Sequence, residues 1–193
     1  APAHYNLARA FHKVGQPQKA LEHYRSAVRY NPYFEEAYYN LAFLASETGL
    51  QDEAIKNFLV FLEGQPKHTR ARFGLGNAYF QNKQLDLALD QYQKIIALDP
   101  SYIFPYINTA TIYMQTGKHD EAIATYKKIL AIRPGIAGVH KNLGMIYYQS
   151  KNDPRQALSY FEESIRLEPD QPEASIIRRA IVNIRNEAEV LPK

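Results

Sequence analysis

The sequence contains no cysteine. That excludes disulfides, thiolate metal sites and cysteine nucleophiles together. It leaves both the cytoplasm, slightly favoured, and the periplasm open. Long hydrophobic runs are also missing: no stretch reaches the roughly 18 apolar residues that a spanning helix needs. The most apolar piece, FLVFL from Phe58 to Leu62, is far too short, so no direct membrane insertion is expected. The opening APAHYNLARAF has no basic start followed by an apolar segment, so no signal peptide is read there. An earlier one, removed, would account for a periplasmic protein. Charge of one sign is scarce, with 23 basic and 20 acidic residues giving a net charge of +3. A nucleic-acid binder usually shows a dense basic stripe; none is visible, and no nucleic-acid partner is expected.

Catalytic patterns are lacking as well. None of the six histidines joins a carboxylate in a motif such as H-E-x-x-H. The GLG at Gly74–Gly76 lies inside a helical pattern and follows no strand, so it is no nucleotide loop. Glu35–Glu36 and Glu162–Glu163 read as solvated helix faces. The expectation is a non-enzyme with no cofactor and no metal.

What the sequence does have is a repeat. Prolines stand at Pro32, Pro66, Pro100 and Pro134 at one constant interval, and then at Pro169, a single position late. Alanines keep step at Ala20, Ala54, Ala88, Ala122 and Ala157, and aromatics at Tyr24, Phe58, Tyr92, Tyr126 and Phe161. The extra residue of the fifth repeat lies between Ser150 and Ala157, in a turn. Each repeat reads as two helices. In the first, Leu7, Ala8 and Phe11 form one helical stripe, and Ala20, Tyr24 and Ala27 a second. Gly15 separates them and Asn31–Pro32 ends the pair. Gly49 and Gly117 mark the same turn, whereas Lys83 and Lys151 replace glycine there. Asp153 followed by Pro154 suits an N-cap and first helical position.

These markers resemble the tetratricopeptide repeat (TPR) family, whose unit is a helix pair of about 34 residues. RFGLGNAYF, followed by Ala88, Tyr92, Ile95 and Pro100, carries the resemblance most fully. The tryptophan that the family often places early is replaced by His4, Tyr38, Arg72, Tyr106 and His140. The implied fold is all-α: a right-handed superhelical solenoid of five TPR helix pairs plus a C-terminal capping helix. The repeats would cover 1–34, 35–68, 69–102, 103–136 and 137–171, with a capping helix and tail over 172–193. Ala174, Ile177, Ile181 and Ile184 would line the inner face of that last helix, from Pro172 to about Glu189. Small residues at Ala8, Ala42, Gly76, Ala110 and Gly144 would let the paired helices approach. Tyr24, Tyr79, Tyr92, Tyr113, Tyr126 and Tyr147 would be core plates with their hydroxyls at an edge.

The resemblance also implies a concave groove lined by the first helices. Asn6, Asn40, Asn108 and Asn142 map to it, with Asn77 replacing the amide where the third repeat has Gly74. A row of amides could hold the main chain of an extended peptide. Tyr39, Phe43, Phe73, Phe104, Ile107, Met114, Met145 and Tyr148 map there as apolar anchors, Phe80 beside them. Phe43, Phe73, Ile107 and Met114 would form an exposed patch. Arg70 and Lys141 are the charges of the later groove, with no acid, and suit a peptide with an acidic group or free C-terminus. The lysine clamp of chaperone-binding members fits poorly, since the lysines are missing. The expected function is a protein-interaction adaptor or assembly scaffold binding a peptide or helix of a partner. The alternatives are the TPR arm of a larger enzyme such as a glycosyltransferase, or a self-assembling homo-oligomeric scaffold.

Overall fold

The computed structural model describes residues 1–190, with side chains through residue 187. Among the described residues there are helices and no strand. The first pair is α1 (Pro2–Lys13) and α2 (Pro17–Tyr30), the second α3 (Glu35–Glu47) and α4 (Gln51–Gly64). The third is α5 (Thr69–Gln81) and α6 (Leu85–Leu98), the fourth α7 (Ile103–Gln115) and α8 (His119–Ile132). The fifth is α9 (Ala137–Gln149) and α10 (Pro154–Leu167), and α11 (Ala174–Val190) closes the array. The chain divides into two compact bodies, Ala1–Pro105 and Tyr106–Lys193.

The turn inside each pair requires one left-handed residue. Gly15, Gly49 and Gly117 supply it with φ of 73°, 82° and 70°, at no steric cost. In the third pair Lys83 is held at φ 61°, a conformation that strains a side chain with a Cβ. In the fifth, the sequence register puts Lys151 at this place, but Asn152 takes it, at φ 49°. The inserted residue moves the turn by one, and asparagine tolerates this region better than lysine does. Asp153 then caps α10: its carboxylate accepts from the Gln156 backbone N–H at 3.0 Å, and Pro154 opens the helix.

Within each pair the helices meet through small residues. Ala8 and Ala20, and Ala42 and Ala54, are fully buried. Where glycine stands on the first helix, an aromatic ring fills the space: a Cβ on Gly76 would lie 2.7 Å from the Tyr92 ring, and one on Gly144 2.5 Å from Phe161. In later repeats the first-helix leucine is sealed, as Leu41 and Leu143 show, whereas Leu7 is 46 % exposed. At the tryptophan-like place, polar side chains bond to the preceding proline carbonyl. Arg72 donates to the Pro66 carbonyl, and His140 Nε2 donates to that of Pro134 at 2.8 Å.

The closing helix begins at Ala174, slightly later than the sequence suggests, because Pro172 and Glu173 form a turn. Ala174, Ile177, Ile181 and Ile184 are its buried face. Buried Gln171 ties the entry down, its Nε2 donating to the Ser164 carbonyl at 3.1 Å. Ser164 Oγ in turn donates to the Ala137 carbonyl at 2.9 Å.

Candidate functional site

The asparagines of the first helices are largely engaged by the protein itself. Asn142 on α9 donates from Nδ2 to the Tyr126 hydroxyl of α8 at 3.0 Å. On α5, Asn77 Oδ1 accepts from the Tyr92 hydroxyl of α6 at 2.8 Å. Asn40 on α3 donates to the Tyr5 hydroxyl at 3.0 Å and to the Glu36 carbonyl at 2.7 Å. Asn6 is exposed, and Asn108 is half-buried. The amide of Asn142 therefore closes a joint between consecutive helix pairs.

The sequence interval from Tyr126 to Asn142 recurs along the chain with a constant pattern of residue types. Tyr24 is followed by Asn40, Tyr92 by Asn108 and Tyr126 by Asn142, whereas Phe58 is followed by Gly74 and Phe161 by Ile177. Where the ring bears a hydroxyl an amide follows; where it does not, an apolar residue or glycine follows. Gly74 is glycine because any Cβ there would run into the Phe58 ring. This correlation could have been read from the sequence alone.

The apolar candidates divide by exposure. Phe43 is half-buried, 6.2 Å from the Phe58 ring and 5.7 Å from Tyr39. Tyr39 itself lies among Phe61 and His68. Burial pushes its hydroxyl pKa up, opposed by the charge and hydrogen bond of Arg70. Phe73 sits between Tyr92 and Tyr102, at 5.9 Å from each. Tyr102 meets Phe104 edge-on at 5.6 Å, and Phe104 ends this aromatic series 53 % exposed. Ile107, Met114, Met145, Tyr148 and Phe80 are half-buried, Tyr148 lying edge-on to Phe161 at 6.3 Å. Arg70 is exposed.

Lys141 differs from its expectation as a cation without an acid. Its ammonium lies 2.9 Å from the Glu173 carboxylate, in the turn before α11. That contact holds the Glu173 carboxyl below its usual pKa range, the Lys141 hydrogen bond being the largest cause. Glu173 lies almost a whole repeat beyond Lys141 in the sequence, and only the folding-back of α11 brings them together.

Arg9, His12 and Lys13 of α1 line a cleft of about 280 Å³ with Tyr24 of α2 and Asn40 of α3. His12 Nε2 lies 3.4 Å from a Glu47 carboxylate oxygen. Burial pushes the Tyr24 pKa up to about 12, with Tyr5 adding to the rise and Arg9 opposing it. Among the described residues no group of three or more His, Cys, Asp or Glu is placed to hold a metal ion, and no helix is long and apolar enough to cross a membrane.

Comparison with known proteins agrees with this architecture. Tetratricopeptide repeat models match residues 1–34 and 69–102, residues 35–63, and residues 102–169. A crystal structure of MamA superposes with a TM-score of 0.78 at 25% identity, covering 86% of this chain and 96% of that one. MamA from Desulfovibrio magneticus RS-1 gives a TM-score of 0.77 at 21% identity, over 89% of this chain and 96% of that one. YrrB, described as a TPR protein with an unusual peptide-binding site, gives 0.75 at 22% identity, over 91% and 90%. No curated protein matches the sequence. With matched repeats running through both bodies and the same helix-pair architecture in these solved structures, the chain belongs to the tetratricopeptide repeat family.

Proposed function

We propose that this protein is an interaction module that binds a peptide or helical segment of another protein on the faces of its first helices. Family and fold support a protein-interaction role. YrrB, similar in fold, is described as having a peptide-binding site. The observation that carries the reading here is the aromatic series Phe73–Tyr102–Phe104, which starts half-buried and ends on a ring left largely open to solvent. Exposed apolar surface continuous with packed aromatics is a usual mark of a docking site, and aromatic anchors carry much of the energy at such sites. Arg70 supplies an exposed cation on α5. The asparagines are not required as ligand contacts in this reading: Asn40, Asn77 and Asn142 bond within the protein, and the partner is chosen by the residues beside them.

The test is a peptide selected by display on the immobilised protein. Phe104→Ser should weaken that peptide about tenfold, as expected for loss of an aromatic anchor, with circular dichroism and melting unchanged. Full affinity in this variant would contradict the proposed face.

A further inference from the structure

The end of the second repeat lacks a side chain that the other repeats carry. Two residues before the proline that closes each repeat stand Tyr30, Leu98, Ile132 and Leu167, but Gly64 in the second. In place of a large apolar group the Glu35 carboxylate leans over this position: a Cβ on Gly64 would lie 2.5 Å from Glu35 Oε1. Gln65 steadies that carboxylate, its Nε2 donating to Glu35 Oε2 at 3.1 Å. Beside it is a pocket of about 270 Å³. Tyr33, Tyr38 and Phe61 line it together with Glu35 and Glu63, and no basic residue does.

What surrounds the pocket is negative from three separate sources. The first is the acids: neither Glu35 nor Glu63 forms an ion pair among the described residues. The second is the end of α4. Its unpaired carbonyls carry a negative partial charge, and no basic residue in the last turn offsets it. Glu63 sits in that turn, where an acid costs stability rather than adding it. No other repeat has an acid at either place. The counterparts of Glu63 are Arg29, Ala97, Ala131 and Arg166, and those of Glu35 are Ala1, Thr69, Ile103, Ala137 and Pro172. The third source is the rings, whose faces attract a cation. Phe61 is 6 % exposed, and Tyr38 is half-buried. Tyr33 stands at the rim, 91 % exposed, on a loop fixed by its own backbone N–H donating to Asn31 Oδ1 at 3.1 Å.

We propose that this pocket takes the guanidinium of an arginine side chain on a partner protein. Its N–H groups donate to the Glu35 and Glu63 carboxylates, and its plane stacks on the Tyr33 ring. Among cationic side chains the guanidinium suits these surroundings: it forks onto carboxylates, stacks on aromatic faces and is less strongly hydrated than an ammonium. The apolar stem of the same side chain lies along Tyr38 and Phe61. The pocket shares no residue with the Phe73–Tyr102–Phe104 series, and its assignment does not rest on that series being a docking face.

The experiment uses the full chain, with nuclear magnetic resonance following the backbone amides of Tyr33, Glu35 and Gly64. Three probes are titrated: acetyl-arginine methylamide, its uncharged citrulline counterpart, and its lysine counterpart. The arginine probe should saturate these signals and bind about fivefold more tightly than the citrulline probe, as charge-assisted hydrogen bonds require. Added salt should shrink that difference. Glu63→Gln should cut the preference about threefold, and Tyr33→Ala should weaken arginine about threefold. Both positions are exposed, so neither change endangers the fold. Gly64→Leu gives the second repeat the side chain of the third and should abolish saturable binding, with circular dichroism unchanged. Equal affinities for arginine and citrulline, or no saturable response to arginine, would overturn the site. Lysine binding as tightly as arginine would overturn the guanidinium assignment. Phe104→Ser should leave arginine binding intact, so failure of the pocket and failure of the aromatic docking face are separately readable.

Discussion

Tyr24 and Tyr126 occupy the same place in their repeats, on the second helix with the ring buried, yet their hydroxyls meet opposite surroundings. Around Tyr126 an amide from the next helix pair closes the joint at 3.0 Å, and burial raises its pKa against the opposing Asn142 bond. Around Tyr24 the amide has been drawn off by Tyr5, and the neighbours are Arg9, His12 and Lys13. One hydroxyl is tied between helix pairs; the other borders a cleft lined by basic side chains.

The largest effect should come from forcing the amide where no hydroxyl awaits it. Gly74→Asn puts a side chain into the Phe58 ring, and should destabilise the protein by about 2 kcal/mol, within the usual range for overpacking. Urea unfolding checks this, and unchanged stability would show that the tyrosine–asparagine pairing is not enforced by packing. Next in size is the reverse change. Arg9→Asn gives the first repeat the acceptor that Asn77 gives Tyr92, and should stabilise by about 1 kcal/mol, the usual net worth of a hydrogen bond. A higher melting temperature would sharpen the contrast between the two tyrosines; a lower one would break it.

A separate effect is expected in alkali. Tyr24 in the folded protein keeps its proton to about pH 12, against 10.0 for an unperturbed tyrosine. Its contribution to stability is complete below pH 10, where both states are protonated, and is lost as pH rises from 10 towards 12. In that window the unfolded chain binds fewer protons than the folded one, so stability falls with pH. Tyr24→Phe should flatten this part of the profile, as followed by unfolding at fixed urea between those pH values.

Much of the fold is legible in the sequence because its signals are local and repeated. The even recurrence of Pro, Ala and aromatic residues fixes where helices pair, and Asp153–Pro154 marks a helix start by its own chemistry. Lys83 stands at the glycine place and is left-handed there, while the insertion in the fifth repeat hides that Asn152, not Lys151, takes that conformation. The candidate site is less legible, because partners on different helices decide what each residue does. Lys141 reads as a free cation until Glu173 arrives from the turn before α11. Asn142 reads as a groove amide until Tyr126 claims it. The pairing of tyrosine with a later asparagine was present all along, but its meaning needs the two positions to face each other across helix pairs.

The most direct measurement is a double-mutant cycle on Asn142 and Tyr126, using Asn142→Ala, Tyr126→Phe and the pair, each unfolded in urea. If the repeated asparagine serves the tyrosine of the preceding repeat, each single change costs about 1 kcal/mol and the double costs little more than either, a coupling of roughly 0.5–1.5 kcal/mol. Strict additivity would contradict the account, returning the asparagines to the ligand.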